Sequence, residues 1–163
     1  MRRSSFFTFL IIWLSILCAA LLQILPLPPL VDEYFRPQWM LLTTMYWALA
    51  LPNRFGIGSA WIAGLILDVL WGTTLGFNGV MFGLCAAFMV ENNHKLRTYS
   101  VWHQSLILLG LVLIYQMLFG TLSSWLDDAL VTNSYYASSF ITLLAWPWIF
   151  FTLRKVRRRL FLS

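Results

Sequence analysis

Six apolar runs alternate with short polar breaks along the chain. The first, residues 6–25, is interrupted only by Thr8, Ser15 and Gln23, and it ends at Pro26-Leu27-Pro28-Pro29, where proline withdraws the backbone donor a helix needs. A second run, 38–51, is closed by Pro52-Asn53-Arg54. A third, 57–71, carries Asp68 and leads into Gly72-Thr73-Thr74-Leu75-Gly76. The fourth, 77–90, meets Glu91-Asn92-Asn93-His94-Lys95. The fifth, 105–125, is the longest clean stretch, and the last, 137–153, meets Arg154-Lys155-Val156-Arg157-Arg158-Arg159. The pattern predicts an all-α polytopic membrane protein, a single domain over residues 1–163 with six transmembrane helices.

Run lengths refine this picture. A cleaved signal has an apolar core of about 7 to 15 residues; the first run is longer, and Leu17 before Cys18 spoils a lipoprotein cleavage box. A retained first helix with a cytoplasmic N-terminus is expected. Runs two to four have only 14 or 15 residues each, where a full crossing takes about 20. Flanking residues extend them, or they lie buried among the others, or runs three and four form one re-entrant hairpin.

Composition agrees: 60% of the 163 residues are hydrophobic, 10% are charged, and the mean hydropathy is +0.76. Globular domains carry about 25% charged residues, so neither a soluble fold nor an appended catalytic domain is expected. The net charge of +5 comes in short clusters between the runs. With both termini inside, ten of the eleven basic residues fall in cytoplasmic segments and only Arg36 outside, as the positive-inside rule requires. Asp32, Glu33, Asp127 and Asp128 fall outside. Such clusters make no continuous phosphate-tracking face, so nucleic acid is not an expected partner. Cys18 and Cys85 lie within apolar runs and suggest neither a disulfide nor a metal site.

Asp68 is the one acid well inside an apolar run, a placement that demands a partner. Trp61, Gly64 and Asp68 share a helical face, with Ala60 beside them, and small residues there admit a close neighbour. Asp68 either serves a proton, ion or ligand, or is satisfied by the glycine turn and a neighbouring helix. The few polar groups nearby, Asn78, Thr73 and Thr74, favour the structural role. Gly72, Gly76, Gly79 and Gly83 permit a tight backbone, but no lysine follows them as in a phosphate loop. His94 and His103 lack further ligands for a metal, and the chain has no intramembrane histidine, aspartate pair or HExxH helix, so neither an enzyme nor a cofactor is expected. The basic tail, residues 154–159, reads as an anchor to anionic membrane lipid. Pro147 should kink the last helix and free the carbonyl of Leu143, with the indoles of Trp146 and Trp148 packed near the inner interface.

Arg36-Pro37-Gln38-Trp39, Tyr46-Trp47-Ala48-Leu49-Ala50-Leu51-Pro52-Asn53-Arg54, the stretch from Gly64 through Asp68 to Gly76, and Trp146-Pro147-Trp148-Ile149-Phe150 before Arg154-Lys155-Val156-Arg157 together resemble the rod shape-determining MreD family in order and spacing. The resemblance implies a non-catalytic bacterial inner-membrane scaffold of the elongation machinery, working in lateral peptidoglycan synthesis with MreC, MreB, RodA and its class B penicillin-binding protein. It also implies a fold like the S components of ECF transporters, so a small-molecule or lipid carrier with Asp68 facing the ligand is the alternative. The family supplies no catalytic residues. Structural or partner-contact candidates are Gly64, Asp68, Gly72, Gly76, Trp146, Pro147 and Trp148.

Overall fold

The computed structural model describes residues 2–26, 37–126 and 133–161. Its helices are α1 (Arg2–Ile24), α2 (Trp39–Ala50), α3 (Ile57–Trp71), α4 (Phe77–Glu91), α5 (Asn93–Thr98), α6 (Val101–Leu126) and α7 (Asn133–Phe161). Each apolar run becomes a helix. Polarity alone misplaces two boundaries: the segment after Glu91 holds the six-residue α5, and α7 continues through the basic cluster. Lysine and arginine are good helix formers and their charge complements a helix C-terminus, so a polar stretch of this kind need not be a loop. The expected outer residues Asp32, Glu33, Arg36, Asp127 and Asp128 lie outside the described residues.

Among the described residues, two segments, Phe6–Ile24 in α1 and Val101–Leu118 in α6, are long and apolar enough to cross a membrane. The 12-residue α2, about 18 Å long at 1.5 Å per residue, falls well short of a hydrocarbon layer of about 30 Å. Its surroundings account for this. Every residue from Met40 to Ala50 is buried, and α1, α3, α4 and α7 all pack against it. A helix apolar on all sides belongs at the centre of a bundle. Tyr46 sits edge-on to Trp47 and to Phe150 of α7, at ring distances of 5.3 and 5.7 Å.

A short buried helix leaves backbone donors and acceptors unpaired at both ends, away from water. Other helices supply the partners. At the start of α2, Gln38 N–H donates to Thr142 Oγ1 of α7 (3.2 Å) and Met40 N–H to Gln23 Oε1 of α1 (3.3 Å). At its end, Arg97 Nε of α5 donates to the carbonyl of Leu49 (3.1 Å) and Nη2 to that of Ala50, which also receives Arg157 Nη1 of α7 at 3.4 Å. Guanidinium groups at a helix C-terminus also meet its negative dipole end. Trp47 Nε1 donates to Ser15 Oγ (2.7 Å), pinning α2 to α1 midway. Arg54, just past α2, donates to Thr8 Oγ1 of α1 (2.8 Å). Cations from three separate polar segments thus gather at one end of the bundle.

The outer surface is apolar: Val69, Leu84 and Phe140 are all more than half exposed. In water such a surface would drive aggregation; against lipid it is the solvated face.

Candidate functional site

The pair α3 and α4 makes the most extensive helix contact, and Asp68 lies at its closed end. The main chain ends α3 with Gly72 in the left-handed conformation (φ +65°), its N–H bonded to the Asp68 carbonyl, which also accepts from Thr73 N–H at 3.1 Å. Gly76, at φ +98°, then caps α4. Both angles are ones that side chains with a Cβ rarely adopt, so the turn between the helices depends on glycine at these two positions.

The Asp68 side chain begins the next helix. Its Oδ2 accepts from the backbone N–H of Gly76 (2.9 Å) and Gly79 (3.3 Å). Its Oδ1 accepts from Asn78 N–H (3.2 Å), Asn78 Nδ2 (2.7 Å) and Thr73 Oγ1 (3.0 Å). The first turn of α4 therefore receives its N-terminal acceptor, normally a local serine or aspartate, from a different helix, with the negative charge at the positive end of the dipole. Asp68 is fully buried, and five donors fill the roughly four lone-pair positions of a carboxylate. Among the described residues, a carboxylate so occupied faces only donors of its own hairpin.

Gly64 makes this possible. A Cβ at that position would lie 2.3 Å from the carbonyl oxygen of Asn78 and 2.6 Å from Gly79 Cα, so the backbone of α4 passes where a side chain would stand. From Asn78 the network continues: Tyr115 of α6 donates its hydroxyl to Asn78 Oδ1. One helix further on, Ser139 of α7 donates to Gln116 Oε1 of α6. With the caps of α2, these side chains join α1, α2, α3, α4, α6 and α7 through buried hydrogen bonds. Nothing in the sequence marks Tyr115, Gln116, Ser139 or Thr142 as partners, and Ser15 stands out only as a break in the first apolar run. The signal available was a lone polar residue inside an apolar run, which does not reveal whether it faces a neighbour.

The remaining candidates separate. Ala60, Gly64 and Asp68 are buried together, but Trp61 is 45% exposed, its indole lying over Gly79. Gly79 and Gly83 pack against the side chains of α3, so these two glycines serve the hairpin. Trp146 is buried against Phe150 (6.0 Å), whereas Trp148 is 80% exposed. The two indoles do not pack together, because a spacing of two residues on a helix turns side chains to nearly opposite sides. Pro147 lies within α7, which runs on through it as one helix.

Residues 3–156 match the family of rod shape-determining protein MreD. The chain is 32% identical to the rod shape-determining protein MreD of Haemophilus influenzae over 155 residues, covering 93% of this chain and 95% of that protein. No solved structure matches. Members of that family are non-catalytic inner-membrane helical proteins with a general role in cell shape. By the extent of both matches, this chain belongs to the MreD family.

Proposed function

We propose that the chain acts as a non-catalytic scaffold of the elongation complex, organising lateral peptidoglycan synthesis together with MreC, and through it with MreB, RodA and the class B penicillin-binding protein. The observation that carries this reading is the saturation of Asp68 by donors from its own hairpin. A carrier resembling an ECF S component would need that group facing a ligand. Spent on capping α4, it instead stiffens the α3–α4 pair.

The polar groups face inward and the outward faces are apolar, so contacts with partners run through lateral helix surfaces, where close packing supplies most of the association energy. Trp148, at 80% exposure, is the most exposed large apolar side chain among the described residues. Six crossings with both termini cytoplasmic fit the gathering of Arg54, Arg97 and Arg157 at one end. The test is purification with and without MreC, followed by measurement of complex mass. A defined stoichiometric complex is the expected result; a chain that stays alone at micromolar concentrations of both contradicts the scaffold.

A further inference from the structure

At the basic end of the bundle, opposite the Asp68 hairpin along α3, lies a cavity of about 760 Å³. Arg54, Arg97, Arg154, Arg157 and Arg158 line it, and no carboxylate among the described residues does. Orientation in a membrane needs basic residues on the correct side but does not need them to converge. Here three distant segments bring guanidinium groups around one space; Thr8 partners Arg54 and the α2 carbonyls partner Arg97 and Arg157, but these neutral acceptors leave the mutual repulsion of the five cations for an anion to offset. We infer that this cavity binds a phosphate-bearing amphiphile, with the phosphate held by the arginines.

The arginines are positioned before any ligand arrives. Arg97 and Arg157 are tethered to the C-terminal carbonyls of α2, which fixes their planes while leaving other N–H groups of each five-donor fork unused. Arg154 sits over the Phe150 ring at 5.9 Å. Planar forks held this way match phosphate oxygens in pairs.

Two further features point to a ligand. The Tyr46 hydroxyl is buried at the cavity wall with no hydrogen-bond partner among the described residues, and so is Gln104 Oε1. One offers a donor and the other an acceptor, a pair suited to a phosphate oxygen and a head-group hydroxyl. Leu49, Leu51 and Phe150 supply an apolar wall beside them. A volume of this size fits a lipid head group and the start of its chains better than a bare ion. The neighbouring tail residues Lys155 and Arg159 do not line this cavity, which separates the site from the general attraction of a basic tail to an anionic surface.

The full chain is purified in detergent and exchanged into nanodiscs of phosphatidylcholine alone or with phosphatidylglycerol, and lipid retained after release is counted by native mass spectrometry. In a parallel arm, inorganic pyrophosphate is tested for protection against thermal unfolding. Wild type is expected to keep phosphatidylglycerol over phosphatidylcholine. Arg154→Gln with Arg158→Gln, neither of which caps α2, should cut retention about tenfold, the scale of one lost charge-assisted hydrogen bond. Lys155→Gln with Arg159→Gln removes the same charge from the same tail and should leave retention within twofold. Tyr46→Phe, which deletes only the unpartnered hydroxyl, should lower retention while keeping the fold. If pyrophosphate protects wild type but not the Arg154/Arg158 variant, and no lipid is retained selectively, the phosphate site stands with a soluble ligand as its source. Equal loss in the two double variants, or no selective binding of either probe, overturns the site.

Discussion

Replacing Gly64 by alanine tests the tightest backbone approach found at a glycine among the described residues. The new Cβ would stand 2.3 Å from Asn78 O, 2.5 Å from Asn78 C and 2.6 Å from Gly79 Cα, all backbone atoms that no rotamer change can move. Restoring ordinary contact requires α4 to retreat by roughly 1 Å. The longest Asp68 bonds, 3.2 Å to Asn78 N and 3.3 Å to Gly79 N, then pass beyond hydrogen-bond range. Two lost bonds to a buried charge, at about 1.5 to 3 kcal/mol each, predict a destabilisation of roughly 3 kcal/mol or more. Against this, alanine gains at most about 1 kcal/mol of helix propensity. Gly58→Ala and Gly110→Ala are the controls, because nothing lies within 4 Å of a Cβ at either position. Thermal unfolding in detergent, followed by size exclusion, should show Gly64→Ala melting roughly 10 °C below wild type and both controls at or above it. A Gly64→Ala protein that melts with its controls would refute the close-packed hairpin.

Other substitutions probe the remaining joints. Gly76→Ala, forced to hold φ at +98°, should cost about 1 to 2 kcal/mol, read in the same melting assay. Gln23→Ala strands the Met40 N–H in a buried site and should destabilise by about 1 to 3 kcal/mol, read in the same melting assay. Pro147→Ala restores the missing backbone donor toward the Leu143 carbonyl and should lower the yield of complex with MreC more than it lowers membrane abundance; unchanged yield would show that the proline has no part in assembly. Cysteines at Asn53 and Asn93 should react with an impermeant thiol reagent only after the inner membrane is opened, and labelling of Asn93 from the periplasm would contradict six crossings.

The helices were legible in the sequence because apolar runs and their proline, glycine and charged stops encode them directly. The pairing of Asp68 with the glycine turn was legible for a related reason: a carboxylate in an apolar run must find donors, and the nearest ones follow within a few residues. The capping of α2 was not. Gln23, Arg97, Thr142 and Arg157 meet it from sequence separations of 17 to 107 residues, and nothing local marks which end of which helix a distant side chain will reach. Trp146 and Trp148 illustrate the converse, since adjacency in sequence suggested a shared environment that helical geometry denies them.

The central claim, that Asp68 is a structural acceptor and not a carrier's titrating or ligand-binding group, is tested by Asp68→Asn in a strain lacking the protein. Asparagine keeps one oxygen for Thr73 and Asn78, but its NH₂ would face the N–H groups of Gly76 and Gly79, so the variant should be less stable, by about 2 to 5 kcal/mol. Leucine at the same position strands all five donors and should be worse. Rod shape is scored at matched membrane levels, with expression raised until folded Asp68→Asn equals wild type. The account predicts that rods return once the folded amount is restored. Spherical cells containing abundant, folded Asp68→Asn would contradict it.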